Sequence, residues 1–281
     1  MSAVLTHHAY GKSQIRLTKV VRRADRHDLK ELCVAVQLEG DFGASYVHGD
    51  NRRIVATDTM KNIVYVLAQK HALTDIESFG QAVAGHFLEQ YPHVSAAVIR
   101  LVEQPWQRVV TGGQEHPHTF VGGGSEKRTC TVTLTRQGLR VESGLDGLAL
   151  LKTTDSAFAG FIRDAYTTLP ETDARIFATV LSADWLYAEA PADWDRCHRL
   201  IRQALLEAFA RHQSLSVQQT LHAMGAAALE ACREVEQVSL RMPNKHHLLV
   251  NLQPLGLENN NEIFVPTEEP YGVITGTLRR G

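Results

Sequence analysis

The chain is poor in cysteine, in net charge and in long apolar runs. Its four cysteines, Cys33, Cys130, Cys197 and Cys232, are far apart and form no Cys-x-x-Cys pair. That pattern is expected of reduced, mostly buried thiols rather than a disulfide framework. The formal net charge is only -2, so the whole molecule exerts no pull on nucleic acid. No apolar run approaches the roughly 20 residues that a membrane-crossing helix needs. The N-terminal residues Met1 to His8 lack the charged-then-apolar pattern of a secretory signal. Thr277-Leu278-Arg279-Arg280-Gly281 is not a peroxisomal ending, so the expected location is cytoplasmic. Metal-ligand and phosphate-loop spacings are missing too. His116-Pro117-His118 offers two imidazoles without a third ligand, and Gly122-Gly123-Gly124 lacks the Lys-Ser/Thr ending of a phosphate loop. The expectation is no metal.

What is present is an ordinary globular composition, 44% apolar and 21% charged over 281 residues, enough for about two domains. Residues 13–21 alternate as a strand interrupted by Lys19, and Leu32, Val34, Val36 and Leu38 alternate over a second. Gly40, Gly43 and His48-Gly49-Asp50-Asn51 mark a loop. Thr57-Asp58-Thr59 supplies helix-start side chains, and Met60, Ile63, Val64 and Leu67 follow at helical spacing. Thr74 and Glu77 fit a capping box for a second helix, which stops before Tyr91-Pro92. Ala97, Ile99 and Leu101 return to a strand. Residues 111–125 are rich in Gly and His and are expected to be a long loop and domain junction. Glu126-Lys127-Arg128 is expected to be a solvated strand entrance.

The order then repeats. Cys130, Val132 and Leu134 alternate with threonines, and Gln137-Gly138 turns into another strand. Residues 156–164 are expected to be a short helix or loop. Ile176 begins a strand, Pro191-Ala192-Asp193 opens a long helix, and Ser214-Leu215-Ser216 caps another. Val238, Leu240 and Met242 form a strand, and Leu248, Val250 and Leu252 the next, before a mostly irregular tail. Strands, a helix pair and strands, twice over, indicate an α+β fold with antiparallel sheets and helix pairs on one face. The expected units are 1–120 and 121–281.

Arg241-Met242-Pro243-Asn244-Lys245-His246-His247 concentrates chemistry at a strand entrance. In an extended chain Asn244 and His246 share a face, aiming an amide and an imidazole at one spot. The plainer alternative is a polar turn at a sheet end.

Six stretches together carry a resemblance. They are Tyr10-Gly11-Lys12, Thr57-Asp58-Thr59-Met60-Lys61-Asn62, Ser156-Ala157-Phe158-Ala159-Gly160-Phe161, Asp173-Ala174-Arg175-Ile176, Ser216-Val217-Gln218 and Pro243-Asn244-Lys245-His246. Their order and spacing resemble the urate oxidase (uricase) family from about Tyr10 to Gly272. Ala159 stands where the family often has an aromatic residue. The resemblance implies two tandem tunnelling-fold units per chain and a homotetramer with active sites at subunit interfaces. It implies oxidation of urate by O2 to 5-hydroxyisourate and hydrogen peroxide, with no cofactor: no metal, flavin or haem.

The resemblance also implies roles. Arg175 and Gln218 would clamp the purine, Phe158 would stack on it, and the backbone N–H groups of Asp58 and Val217 would complete the grip. A guanidinium and an amide suit a purine edge, because one donates two parallel bonds and the other both donates and accepts. Lys12, Thr57 and His246 would relay protons, with Thr57 also touching substrate, and Asn244 would hold O2 or the water that follows it. Taken alone, each has a plainer reading: Arg175 a strand-start charge, Phe158 core, Lys12 a solvated amine, Thr57 a helix cap. Two other functions stay open at this point. One is a metal-dependent purine or pterin hydrolase on the same fold, and the other is a non-catalytic purine-binding protein.

Overall fold

In the computed structural model, which describes residues 3–281, the first strands are β1 (Tyr10–Arg22) and β2 (His27–Gly40). Met1 and Ser2, the start of the stretch read for a signal, lie outside the described residues. β1 and β2 pair antiparallel, and Leu32, Val34, Val36 and Leu38 are buried while the residues between them are half-buried. That period of two places one face of the sheet against a core. A short helix α1 (Gly43–His48) occupies the expected loop. Next come α2 (Thr57–Lys70), α3 (Ile76–Gln90), β3 (Val94–Gln104), β4 (Trp106–Thr111), β5 (Gln114–Gly122) and β6 (Lys127–Thr135). The chain divides into two compact units after Gly144. In the first, the sheet order is β1-β2-β3-β6, with α2 and α3 packed on β1, β3 and β6.

β7 (Leu139–Lys152) carries the chain across that division. The second unit continues with β8 (Phe177–Tyr187), α4 (Trp194–Arg211), α5 (Val217–Ala231), β9 (Val235–Asn244), β10 (His247–Leu249), β11 (Phe264–Pro266) and β12 (Gly272–Arg279). Its sheet order is β7-β8-β9-β12, and α5 packs on β9 and β12. The expected α+β order, ββααββ twice, is what the chain forms. No helix among the described residues is long and apolar enough to cross a membrane.

The structure differs from the sequence reading at several further places. Residues 111–125 are not a loop and junction: β4 and β5 form a hairpin within the first unit, so the units divide after residue 144 rather than near 120. Thr111 pairs with Gln114 around Gly112 and Gly113, at φ 59° and 80°, the positive values a two-residue hairpin turn requires. The cap of α3 is Asp75, which accepts from the Ser78 N–H at 2.7 Å, not Thr74 with Glu77. Glu77 is instead fully buried, bonded by Arg128 at 2.7 Å and by the Ser143 hydroxyl at 2.5 Å. Arg128 is therefore no solvated entrance: its side chain is 13% exposed. The tail is not irregular throughout, because β12 pairs with β9 over eight residues.

Lys19 interrupts the apolar pattern of β1 for a reason. Its ammonium donates to the Ala68 and His71 carbonyls at the end of α2. Lys152 donates likewise to Phe209 and His212 at the end of α4. Arg136 donates to Leu88 at the end of α3 and to Val94, which opens β3, and Arg280 serves the end of α5 through Leu229 and Cys232. Each of these helices ends with carbonyls that lack helical partners and carry partial negative charge, which a cation on a strand or just after one satisfies.

Candidate functional site

In the first unit, Lys12 follows Gly11 on β1. A Cβ at Gly11 would lie 1.8 Å from the Val36 carbonyl oxygen, so only glycine lets β1 approach β2 this closely. A bulge between Lys12 and Ile15, with Gln14 at φ 58°, re-aims the strand beside Lys12. Two residues earlier, the Tyr10 hydroxyl accepts from the Val55 N–H at 2.8 Å and donates to the Val55 carbonyl at 3.2 Å. This pair of bonds ties the start of β1 to the residues that lead into α2. Burial pushes the Tyr10 phenol above its ordinary pKa, so it stays neutral and able to donate.

Thr57 is the first residue of α2, and the N-cap is Ala56, with no side-chain cap. The helix-cap reading of Thr57 is therefore replaced. Its half-buried hydroxyl has no hydrogen-bond partner among the described residues. The first backbone bond at this end runs from Met60 N–H to Ala56 at 3.1 Å. The N–H groups of Thr57, Asp58 and Thr59 are thus left without helical acceptors, at the positive end of the helix dipole. The Asp58 carboxylate turns back onto Lys61 at 2.5 Å and Asn62 at 3.0 Å. Those contacts, Lys61 first, hold it below the usual carboxylate range, with a smaller share from the charge of Lys12.

In the second unit, Phe158 sits on a segment without helix. It exchanges backbone bonds with Thr172, at 2.7 and 3.1 Å, and stacks on Phe161 with ring centroids 4.9 Å apart. The Arg175 N–H donates to Ser156 at 2.9 Å, which places the Arg175 guanidinium carbon 5.3 Å from the Phe158 ring centroid. Arg175 is half-buried, and its Nε is buried with no partner among the described residues. Burial pushes its pKa down, yet a guanidinium stays charged. A cation in this position gains by meeting a planar anion.

The same segment is tied to the start of α5. Ala157 N–H donates to the Ser214 carbonyl at 2.7 Å, and the Thr220 and Ser214 hydroxyls are bonded at 2.8 Å. Ser216 caps α5 by accepting from Gln219 N–H at 3.1 Å. Val217 and Gln218 then open the helix, so their N–H groups are free of helical partners. Val217 is buried, while Gln218 is exposed with no side-chain partner among the described residues.

Asn244 ends β9 opposite Gly272. Lys245 N–H donates to Ala178 of β8 at 2.9 Å, three residues after Arg175. The His246 carbonyl accepts from Thr267 N–H at 2.9 Å, and the Lys245 ammonium reaches Glu268 at 2.9 Å and lies 4.5 Å from the centre of the Tyr271 ring. Lys245 is thus pinned by its own partners, and Asn244 and His246 flank it on an ordered backbone. The structure brings Phe158 and Arg175 into contact and ties α5 and residues 244–246 to the same framework. In the first unit it sets Lys12 where its charge reaches Asp58. Sequence reasoning missed Tyr10, Ser214 and Glu268 as supports. Their partners lie 45, 57 and 23 positions away, beyond any local pattern.

Comparison with known proteins places this framework. The Uricase family model matches residues 8–133 and 141–275. The uricase of Arthrobacter globiformis is 41% identical over 277 residues, covering 99% of this chain and 90% of that protein. The uricase of Aspergillus flavus is 36% identical over 287 residues, covering 96% and 95%. Among solved structures, that of the Arthrobacter globiformis uricase superposes with a TM-score of 0.95 at 40% identity, covering 100% of this chain and 96% of that one. The urate oxidase of Bacillus sp. TB-90 gives 0.83 at 26% identity, covering 98% and 100%. With both units matched in order and nearly every residue covered, the chain belongs to the uricase family.

Proposed function

We propose that this chain oxidises urate with O2 and water to 5-hydroxyisourate and hydrogen peroxide, and that it does so without a metal or organic cofactor. The observation that carries the reading is the half-buried Arg175 guanidinium against the face of Phe158, on a segment bonded to the start of α5. Arg175 donates two bonds to the urate anion, Gln218 matches the opposite purine edge, and Phe158 stacks on the ring. The N–H groups of Val217 and Asp58, each at a helix start, add donors where negative charge is favoured.

Urate is electron-rich and supplies two electrons itself. Dioxygen takes those electrons and two protons to become hydrogen peroxide. A water oxygen bonds to the ring carbon left electron-poor, and its hydroxyl becomes that of 5-hydroxyisourate. Lys12, Thr57 and His246 move the protons, and Asn244 holds O2 and then the water over the ring. The uncapped Thr57 hydroxyl is suited to this, since it can accept and donate in turn. The assembly is a homotetramer with sites completed at subunit interfaces, and the protein works in the cytoplasm.

A metal-dependent hydrolase would need ligands beside Arg175 and Gln218. The one ligand cluster among the described residues is Cys197, Cys232 and Glu234, and Cys232 lies beyond the opposite end of α5 from Gln218. Metal-free protein incubated with urate should consume oxygen as the urate ultraviolet band disappears. Binding of urate with neither change would make the protein a purine binder, and activity that needs added zinc would favour the hydrolase.

A further inference from the structure

The sulfur atoms of Cys197 and Cys232 and a carboxylate oxygen of Glu234 all lie within 4.8 Å of one another. Cys197 is in the first turn of α4, Cys232 is the residue after α5, and Glu234 leads into β9. Both cysteines are buried, at 0% and 2% exposure, and the Cys232 sulfur is 3.3 Å from Glu234 Oε2. We propose that these three side chains form a structural site for a single zinc-class divalent ion, clipping α4, α5 and β9 together.

The donor set selects the ion. Two sulfurs and one oxygen suit a borderline-soft ion such as zinc and exclude magnesium and calcium, which take oxygen ligands. Three protein ligands leave one tetrahedral position for water. The Glu234 side chain, 26% exposed, marks the route by which ion and water enter. Binding converts two thiols to thiolates and releases two protons to solvent; nothing is oxidised. Two thiolates and a carboxylate then carry three negative charges against the two of the ion. Arg196, whose guanidinium is 4.0 Å from Glu234, offsets the excess. Arg280, whose guanidinium donates to the Cys232 carbonyl at 3.0 Å and already occupies the end of α5, adds a second positive charge beside the thiolates. Gln218 lies at the other end of that helix, about 20 Å away at the helical rise, so the ion takes no part in the chemistry of the purine site.

Chelator-treated protein, dialysed against cobalt(II) or zinc(II) chloride, tests the site. One ion should bind per chain, and the cobalt form should show a thiolate-to-metal charge-transfer absorption that histidine sites elsewhere cannot produce. The double variant C197S/C232S should lose that absorption. E234Q alters a partly exposed side chain and keeps both thiols, and it should weaken binding at least about tenfold, a loss seen even for outer-shell partners. Cobalt binding without the absorption, or affinity unchanged in E234Q, would overturn the proposal.

Discussion

Arg175 and Lys12 do different work in the proposed reaction, and kinetics can separate them. Arg175 grips the purine, so Arg175→Gln should lower kcat/KM about 10- to 100-fold, the equivalent of losing charge-assisted bonds of about 1.5–3 kcal/mol, with a clear rise in KM. Lys12→Ala removes proton transfer rather than grip and should lower kcat by about 100- to 10,000-fold while KM and the unfolding temperature change little. Thr57→Ala should lower kcat comparably and also raise KM, since Thr57 touches substrate as well. Steady-state kinetics with a thermal melt on each variant checks both expectations. These side chains stood out in the sequence because each lies in a short motif. Their environments did not. That Thr57 follows its helix cap rather than forming it depends on where the backbone turns at Ala56, which no side-chain pattern records.

The helices carry their own tests. Burial alone would raise the Asp75 carboxylate, but the hydroxyl and N–H of Ser78 and the hydroxyl of Thr74 outweigh it and hold the group below its unperturbed 3.8. A folded pKa below the unfolded one stabilises the protein above about pH 4, and that contribution is lost as pH falls through the folded value. Asp75→Asn keeps a capping side chain but removes the titration. Its stability should fall less steeply than wild type below about pH 4, as urea melts at several pH values would show. Lys19→Ala and Lys152→Ala each uncap a helix end and should cost about 1 kcal/mol. The two losses should add, since they fall in separate units. The helices themselves were legible from their apolar stripes, because α3 and α5 bury one face at helical spacing. The hairpin β4–β5 and strand β12 were not. Gly112-Gly113 and Gly276 look like breakers until pairing shows one pair making a tight turn and the other residue lying within a paired strand. Glu77 misled for a related reason: its partner Arg128 is 51 residues away, and from sequence a charged residue early in a helix is indistinguishable from a cap.

At the scale of the molecule, the order of elements foretold two ββααββ units, but shared identities did not. The kinship shows instead in function within the fold: Lys19 and Lys152 serve the first helix of each pair, and Arg136 and Arg280 the second. β1 lies at an edge of the first unit's sheet and β12 at an edge of the second's. Such edges call for cover, which supports the proposed homotetramer. The proposed site draws Lys12, Thr57 and Asp58 from the first unit and Arg175, Gln218 and Asn244 from the second. If one subunit supplies the first set and its neighbour the other, two inactive variants can restore each other. Lys12→Ala and Arg175→Ala should be nearly inactive alone. Co-expressed and purified as mixed tetramers, they should recover urate oxidation at about one quarter of the sites, the fraction that random pairing leaves with both groups intact. Mixed tetramers no more active than either variant alone would contradict the account.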